Sequence, residues 1–391
     1  MAEERPLDIV LFGATGFTGG LTAEYLARHA PEGTRWGIAG RSADKLASVR
    51  ERLVAIDPAC AEVELLEADL ADADVLRDVA GRTHVVATTA GPYLKIGEQL
   101  VAACAAAGTD YADLTGEPEF VDRMYVRHHA TAVASGARLV HACGFDSIPH
   151  DLGAYFTVQQ LPEGVPLTVR GYVSAGGKPS AGTFHSAVTQ FSRARQAGSA
   201  HLERRKIEPK PRRKVSSVKD PARWERELGF WAVPLPTIDP QVVKRSACAL
   251  ERYGPDFSYG HYAAVKRLPV ALGAVGGVGA IFALSQLPPT RSWLLGRMKS
   301  GEGPSEQRRE RSWFRVLFVG EGGGQRVVTR VSGGDPGYDE TAKMLGESAL
   351  CLAADNLPQT SGQVTTAVAM GDALIARLRE RGISFELLES R

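Results

Sequence analysis

The sequence predicts an α/β protein in two parts: a doubly wound parallel sheet at the N-terminus and a second α/β domain built on a mixed sheet. Three observations predict this fold. Residues 8–12 form an apolar run that leads directly into a glycine-rich turn and a helix-like segment. Strand-like and helix-like segments then alternate to about residue 142, as they do in parallel sheets. From residue 167 apolar and polar side chains alternate, which is typical of strands in antiparallel or mixed sheets.

The composition is that of an ordinary globular protein. Of 391 residues, 44% are apolar and 23% charged, and 46 Lys and Arg against 45 Asp and Glu give a net charge of +1. These values argue against a disordered chain and against a general nucleic-acid-binding protein. The five cysteines lie far apart without a C-x-x-C pair, which predicts unpaired thiols, no metal site and a reducing compartment. The polar N-terminus lacks the apolar core of a signal peptide, so we expect a cytoplasmic protein.

The glycine-rich turn has the features of a dinucleotide-binding turn, with the spacing G-x-x-G-x-x-G. Gly13 permits a tight turn, Gly16 lets the backbone approach a pyrophosphate, and Gly19 lets the following helix pack closely on the strand. Backbone N–H groups and the positive end of that helix, predicted over residues 21–29, would bind the phosphates. The turn therefore predicts a Rossmann-type sheet. Its predicted cofactor-binding residues are Gly13, Ala14, Thr15, Gly16, Phe17, Thr18 and Gly19.

The end of the second predicted strand, residues 36–39, indicates which nicotinamide cofactor binds. A site selective for NAD places Asp or Glu at this strand end, where the carboxylate holds the ribose 2′-hydroxyl. Here Arg41 and Ser42 follow the strand, and Lys45 comes one helical turn later. A guanidinium and a hydroxyl suit a 2′-phosphate, so we predict NADP(H), although Arg41 could also be an ordinary solvated turn residue.

The later strands and helices of the parallel sheet alternate along the chain. They are predicted as strands at 63–66, 84–89, 110–113 and 138–142 and as helices at 97–107 and 117–135. Ligands of doubly wound sheets bind at the carboxyl ends of the strands. Asp69 is therefore expected either to contact the adenine moiety or to cap the next helix. The other cofactor-binding residues predicted by this rule are Leu70, Ala90, Gly91 and Pro92.

The rest of the chain is predicted to form a second domain and a returning C-terminal segment. The predicted elements are a strand at 168–174, a helix at 183–195, a hairpin of 315–320 and 325–331, and helices at 339–355 and 366–381. We expect residues 1–152 to form the cofactor domain and residues 153–335 to form the substrate or partner domain. Residues 336–391 are expected to be helices that pack back on the Rossmann-type domain.

Residues 193–214 form a strongly basic run. Nine basic and two acidic side chains give it a local charge of +7, which the balanced charge of the whole chain conceals. The common interpretation is a solvated loop, and Pro209 and Pro211 favour a loop over a long helix. The alternative is a docking surface for an acidic carrier protein or an anionic membrane face.

Residues 268–287 contain no charged side chain and are flanked by Lys266, Arg267 and Arg291. The segment is long enough to cross a bilayer as a helix, but its many Gly and Ala residues contribute little hydrophobicity. Three alternatives stay open: a buried or interface helix, a helix in contact with lipid in the membrane plane, or a spanning helix.

A block after the last strand of the parallel sheet is similar to a known family. Residues 143–153 read Cys-Gly-Phe-Asp-Ser-Ile-Pro-His-Asp-Leu-Gly. With the glycine turn and residues 39–42, this block resembles the saccharopine dehydrogenase-like oxidoreductases, and within them the actinobacterial trans-acting enoyl reductases. The resemblance implies an NADP-binding Rossmann domain and a second domain that covers the nicotinamide. It also implies reduction of a C=C bond of a polyketide or lipid intermediate, so that residues 193–214 would dock an acyl-carrier protein or polyketide synthase.

An enoyl reductase needs a hydride donor, a proton donor and a group that stabilises charge on the carbonyl oxygen. The strand-end rule makes Tyr93, Asp146 and Ser147 the catalytic candidates. Two of them have structural alternatives, which are packing for Tyr93 and helix capping for Asp146. Two other functions stay open: a saccharopine-type reductase that acts on an amino-acid imine, and a non-catalytic NADP(H)-sensing or lipid-associated protein. The oligomeric state is also left open.

Overall fold

Two sheets organise the chain, and each lies at the centre of its own structural unit. The computed structural model describes residues 5–176, 181–296 and 303–391. Its strands are β1 (Leu7–Phe12), β2 (Trp36–Gly40), β3 (Glu64–Glu67), β4 (Thr83–Thr88), β5 (Asp110–Asp113), β6 (Arg138–Val140), β7 (Leu167–Gly176), β8 (Lys214–Ser217), β9 (Arg223–Glu225), β10 (Phe230–Pro234), β11 (Asp256–Val265), β12 (Trp313–Gly322), β13 (Gln325–Gly333), β14 (Gly362–Val364) and β15 (Ser384–Ser390). Its helices are α1 (Phe17–His29), α2 (Ala43–Val54), α3 (Ala73–Gly81), α4 (Tyr93–Ile96), α5 (Glu98–Ala107), α6 (Pro118–Ser135), α7 (Ile148–Val158), α8 (Ala181–Ser192), α9 (Ala194–Ile207), α10 (Asp239–Ala249), α11 (Leu268–Ser285), α12 (Pro288–Gly296), α13 (Glu306–Glu310), α14 (Asp339–Ala354), α15 (Thr366–Ala369) and α16 (Gly371–Glu380).

The first unit contains the chain up to Phe145 together with residues 338–377. Its sheet has the order β14-β6-β5-β4-β1-β2-β3, and all neighbouring strands are parallel. The side chains of Ile9, Val10 and Leu11 in β1 are completely buried, as expected of a strand covered on both faces. The predicted doubly wound parallel sheet is confirmed. Its strand order reverses between β1 and β4, which opens a crevice at their carboxyl ends.

The second unit contains residues 146–337 and 378–391. Its sheet has the order β15-β13-β12-β7-β11-β10-β9, and β8 pairs with β11. The sheet is mixed, as predicted, because β7 runs parallel to β11 and antiparallel to β12.

The boundaries of the two units differ from the predicted domain limits in two places. Helix α7 groups with the second unit because it packs on β12 and β13, so the first unit ends at Phe145 and not at residue 152. In the C-terminal segment α14 packs on α1 and β4, within the first unit. Residues 378–391 group with the second unit, where β15 pairs antiparallel with β13. β15 replaces part of the helical segment predicted for residues 336–391.

The basic run is partly helical, so the prediction of a loop is wrong for residues 194–207. Helix α9 occupies these residues, and Pro209 and Pro211 follow its last residue, Ile207, without interrupting it. The chain then continues through residues 208–213 into β8.

The apolar segment 268–287 is largely the helix α11, and much of that helix is exposed. Val270 and Leu272 are 56% and 64% exposed, so the helix is not buried within the chain by itself, and the interface helix of the same alternative stays a prediction. Within the described ranges, no helix combines the length and the hydropathy needed to cross a membrane.

Candidate NADP(H)-binding and catalytic site

The glycine-rich turn joins β1 to α1 at the crevice of the parallel sheet. Gly13 has a φ of +88°, a backbone conformation that residues other than glycine rarely adopt. Its carbonyl oxygen accepts a hydrogen bond of 2.9 Å from the Gly16 N–H. Gly16 is the N-cap of α1, and no side chain caps this end of the helix. Gly19 is buried against the backbone of Gly13. The turn therefore forms a cradle of backbone at the positive end of a helix, which suits a pyrophosphate.

A cavity of about 650 Å³ lies beside this turn, within the first unit, and its volume is in the usual range of cofactor sites. Seven of the predicted cofactor-binding residues line it: Gly13, Thr15, Arg41, Asp69, Leu70, Ala90 and Gly91. The predicted residues that do not line it are Ala14, Gly16, Phe17, Thr18, Gly19, Ser42, Lys45 and Pro92. The cavity therefore joins residues that follow β1, β2, β3 and β4.

Arg41 and Ser42 follow β2 directly, at the rim of the cavity. Arg41 is exposed, and no ion pair or hydrogen bond from its guanidinium to another described residue occurs. The Ser42 hydroxyl oxygen caps α2 by accepting a hydrogen bond from the Lys45 N–H at 3.5 Å. Its hydroxyl proton is still available for a phosphate oxygen. A guanidinium that pairs with none of the other described residues, at this strand end, fits a 2′-phosphate.

Asp69 follows β3 and lines the cavity, but it does not cap a helix. Its carboxylate accepts a hydrogen bond of 2.9 Å from the Ala71 N–H, within a turn. The cap of α3 is Asp72, whose carboxylate accepts hydrogen bonds from the Asp74 and Val75 N–H groups at 3.0 and 3.2 Å. The alternative that Asp69 caps the next helix is therefore wrong.

One wall of the cavity consists of residues that were not predicted from the sequence. Lys95, Ile96, Glu98 and Gln99 line it from α4 and α5, which follow β4. The strand-end rule covers only the first residues after a strand, and these side chains come one to two turns later. A lysine so close behind a strand end is the signal that could have identified this wall, since an ammonium group suits a phosphate.

Several residues of the glycine turn have structural roles. Ala14 is completely buried, and the Phe17 ring packs edge-on against Tyr338 with ring centroids 5.0 Å apart. The Thr18 carbonyl oxygen accepts a hydrogen bond of 2.9 Å from the Thr22 hydroxyl. These contacts hold the turn in place, while its backbone faces the crevice.

The Tyr93 hydroxyl is held by backbone groups. It donates to the Thr88 carbonyl oxygen at 3.1 Å and accepts from the Leu114 N–H at 3.2 Å, and the side chain is buried. Burial and the nearby Asp113 carboxylate raise the pKa of the phenol well above its usual value. Tyr93 does not line the cavity, so this geometry favours a structural role and leaves its catalytic role a prediction.

A buried polar network lies behind the ends of β5 and β6. The Asp113 carboxylate bonds to His141 Nδ1 at 2.6 Å and accepts from the Thr115 and Ala142 N–H groups, both at 3.0 Å. Ala142 has a φ of 62°, so this network holds the chain after β6 in a conformation that few non-glycine residues adopt. Cys143 follows as a buried thiol, and all five cysteines are free, as predicted.

The predicted catalytic residues Asp146 and Ser147 begin the second unit. Burial and the nearby Asp239 carboxylate raise the pKa of Asp146 to about 7. Ser147 is the N-cap of α7, but neither its side chain nor that of Asp146 caps the helix, so the capping alternative for Asp146 is wrong. The buried Ser147 hydroxyl has no hydrogen-bond partner among the residues that the structure describes.

Comparisons with known proteins agree with this geometry. Residues 9–140 match the family model of the saccharopine dehydrogenase NADP-binding domain. A Mycobacterium tuberculosis H37Rv protein named as a putative trans-acting enoyl reductase is 40% identical over 98% of both chains. The trans-acting enoyl reductase of Mycobacterium ulcerans Agy99 is 34% identical, also over 98% of both chains.

The fold has a solved counterpart. The apo, histidine-tagged saccharopine dehydrogenase (L-Glu forming) of Saccharomyces cerevisiae superposes with a TM-score of 0.54, at 10% identity, over 98% of this chain and 100% of the other. At that identity the likeness shows the fold alone. The family match and the full-length relatives together show that this chain is an NADP-dependent oxidoreductase that belongs to the saccharopine dehydrogenase-like proteins, in the family of the trans-acting enoyl reductases.

Proposed function

We propose that the protein reduces the C=C bond of an enoyl thioester, carried by a partner protein, in the synthesis of a polyketide or lipid. The observation that carries this proposal is the full-length similarity to relatives named as trans-acting enoyl reductases. The cavity beside the glycine turn supports it, because a reductase of this kind must hold NADPH. Bound NADPH supplies a hydride to the β-carbon of the thioester.

The residues of this chain then have three tasks. The backbone of the glycine turn binds the pyrophosphate, and the Arg41 guanidinium binds the 2′-phosphate. Asp69 contacts the adenosine moiety at the end of β3. Asp146 and Ser147 stay the predicted catalytic residues, as proton donor and as hydrogen-bond donor to the thioester carbonyl oxygen.

The test is a direct comparison of two substrate classes. The purified protein is incubated with NADPH and an α,β-unsaturated pantetheine thioester, or with NADPH and a 2-oxo acid plus an amino acid. Oxidation of NADPH and a saturated thioester product, identified by mass spectrometry, are expected with the first only. Turnover of the second alone would identify a saccharopine-type reductase. Tight NADPH binding without turnover of either, in an assay that also includes a carrier-bound enoyl thioester, would identify a non-catalytic binding protein.

We infer that the basic run serves as the docking surface for the carrier of the substrate. Exposed cations of α9 and the following residues form this surface, which we call the basic face: Arg195, Arg205, Lys206, Lys210, Arg212 and Lys214. Arg204 does not belong to it, because its side chain is buried and pairs with Glu208 at 3.2 Å. An acidic acyl-carrier protein, alone or within a polyketide synthase, has the complementary charge.

We also infer that α11 contacts lipid in the membrane plane. Its exposed apolar side chains include Leu272 and Phe282, and Lys266 and Arg267 lie exposed beside its first residue. Co-sedimentation with vesicles of phosphatidylglycerol and phosphatidylcholine tests this inference. Leu272→Glu should release the protein from the vesicles, whereas Val133→Glu, at an exposed apolar position on α6, should not. Equal binding of both variants would contradict lipid contact through α11.

A further inference from the structure

Three side chains with metal-binding chemistry meet in the interior of the second unit. His150 belongs to α7, Asp239 is the first residue of α10, and His261 belongs to β11. They are 1%, 1% and 6% exposed, respectively. The Nε2 atom of His150 lies 3.5 Å from Asp239 Oδ1, and the Nε2 atom of His261 lies 3.4 Å from Asp239 Oδ2. One carboxylate therefore stands between two imidazoles, away from water.

These separations suit ligands of one metal ion better than hydrogen-bond partners. Good N–H···O bonds measure about 2.7–3.2 Å, shorter than both contacts. Two ligand atoms at about 2.0–2.1 Å from a tetrahedral zinc ion lie about 3.3 Å from each other. Within the described chain, the buried Asp239 Oδ1 and His261 Nε2 atoms have no hydrogen-bond partner of normal geometry. A buried polar atom without a hydrogen-bond partner destabilises the folded protein unless another group, such as a metal ion, binds it.

The surroundings orient one ligand as a metal site requires. The Nδ1 atom of His261 lies 3.2 Å from the hydroxyl of Tyr259, which is itself 1% exposed. This contact fixes the ring so that Nε2 faces Asp239. Metal-binding histidines usually have such a partner on the nitrogen that does not bind the metal.

The negative charge of the carboxylates near the cluster also favours the binding of a cation. The half-buried Asp146 carboxylate is near enough to Asp239 to interact with it electrostatically. Among the described residues, the group that acts electrostatically on the Asp146 carboxylate is another carboxylate, Asp239, and not a lysine or an arginine. A divalent ion bound by these three side chains would neutralise the Asp239 carboxylate and leave the imidazoles uncharged.

We propose that His150, Asp239 and His261 form a binding site for a divalent transition-metal ion, with Zn²⁺ the best match to two imidazoles and one carboxylate. The ion joins α7 to α10 and β11, two elements that come much later in the sequence. Its role is therefore to stabilise the second unit.

The test measures metal content in the full chain. Protein purified without chelators, or dialysed against Zn²⁺, is analysed by elemental mass spectrometry, and we expect about one ion per chain. Asp239→Asn keeps the volume of the side chain but removes the charged ligand, and it should lose the ion. Asp151→Asn is the matched control, since this buried carboxylate of α7 bonds to Ser246 at 2.5 Å and is not one of the three ligands.

Two further measurements separate metal binding from a folding defect. Chelation of the ion should lower the Tm of the wild type and of Asp151→Asn, and leave the Tm of Asp239→Asn unchanged. Substitution by Co²⁺ should give the strong visible absorption of a tetrahedral ion in the wild type and in Asp151→Asn only. Wild-type protein that remains free of metal after dialysis against excess Zn²⁺ would overturn the proposal. Equal Zn²⁺ content in Asp239→Asn and Asp151→Asn would overturn it as well.

Discussion

The Cα atom of Gly19 stands directly against the carbonyl group of Gly13: a Cβ at position 19 would lie 2.0 Å from the Gly13 carbonyl oxygen. No rotamer can relieve that overlap, because both partners are backbone. The same Cβ would also come within 2.6 Å of the Thr89 hydroxyl, at the end of β4. The first turn of α1 is therefore fixed against the crevice in which the phosphates are expected to bind.

Gly19→Ala should displace α1 from β1 and weaken NADPH binding strongly, together with a lower Tm. The neighbouring Gly20 provides a matched control, because a Cβ there would lie 3.6 Å from its nearest neighbours, which is an ordinary contact. Gly20→Ala should be neutral, or stabilise the protein by up to ~1 kcal/mol, since alanine favours a helix. Fluorescence titration with NADPH and thermal unfolding measure both effects. Equal NADPH affinity in the two variants would show that the tight contact does not support the binding site.

Arg41→Ala should reduce the affinity for NADPH by about 10- to 100-fold and change the affinity for NADH little. The reason is that its guanidinium would lose a charge-assisted contact to a group that only NADPH carries. Arg77→Ala removes an exposed arginine of α3, outside the cavity, and should leave both affinities unchanged. Titration with the two nucleotides measures the ratio. An equal loss of affinity for NADPH and NADH would mean that Arg41 attracts the phosphates of both nucleotides and does not bind the 2′-phosphate specifically.

Tyr93→Phe should destabilise the protein by about 1–3 kcal/mol, because the Leu114 N–H and the Thr88 carbonyl oxygen lose their partner. If the role of Tyr93 is structural, kcat should fall less than about tenfold in protein that is still folded, whereas loss of a proton donor costs about 10²–10⁴. Chemical unfolding and steady-state kinetics on the same preparation distinguish the two. If Tyr93→Phe has the stability of the wild type but a much lower kcat, Tyr93 is the proton donor.

The features that the sequence predicted well are local ones. The β1–turn–α1 unit and the ends of β2 and β3 follow from residues that are adjacent in the chain, so a pattern of a few letters identifies them. Arg41 and Asp69 were found in this way, and both line the cavity. The basic run was also recognised, but its helix was not, because two prolines just after a helix resemble prolines that break one.

The features that the sequence did not predict depend on chain segments that meet only in the fold. Lys95 reaches the cavity because β4 and the short α4 lie beside the turn, which spacing does not reveal. The cluster of His150, Asp239 and His261 comes from three elements, two of which were not predicted at all. β15 was missed for a similar reason, since its pairing partner β13 lies some 50 residues earlier in the chain and its own residues alternate weakly.

The stability of the first unit should depend on pH through Arg377. Its guanidinium pairs with Asp355 at 2.6 Å and with the buried Glu347 at 3.1 Å, and Glu347 also accepts a bond of 2.6 Å from the Tyr25 hydroxyl. Burial acts to raise the pKa of Asp355, but hydrogen bonding and attraction to Arg377 lower that pKa overall. A carboxylate with a lowered folded-state pKa contributes stability above its unfolded pKa of about 3.9, and this contribution is lost as the pH falls through the folded pKa.

Arg377→Ala should therefore cost about 3 kcal/mol at neutral pH, because Glu347 stays buried without its cation. The difference in the free energy of unfolding between the wild type and Arg377→Ala should decrease below pH ~4, because Asp355 becomes protonated in both proteins. Urea unfolding across this range measures the difference. Arg77→Ala removes an exposed pair with Asp74 and should cost little at any pH. If the difference in the free energy of unfolding between the wild type and Arg377→Ala does not change with pH, the role assigned to Asp355 is contradicted.

Reversal of charge on the basic face should separate docking from chemistry. Arg205, Lys206 and Arg212 are exposed, and no ion pair from them to another described residue occurs. The variant Arg205→Glu, Lys206→Glu and Arg212→Glu should raise KM for an enoyl group on an acidic acyl-carrier protein about tenfold or more, since attraction becomes repulsion.

The same variant should leave KM for the free pantetheine thioester unchanged, because that substrate does not contact the docking surface. The effect on the carrier-bound substrate should shrink at high salt, where exposed charges are screened. The matched control reverses three exposed arginines elsewhere, Arg28→Glu, Arg77→Glu and Arg391→Glu, with the same change in net charge. If KM for the carrier-bound substrate rises equally in the variant and the control, the rise is caused by the change in net charge and not by the loss of a docking surface. A rise for both substrates in the docking variant would place these cations in the substrate site instead.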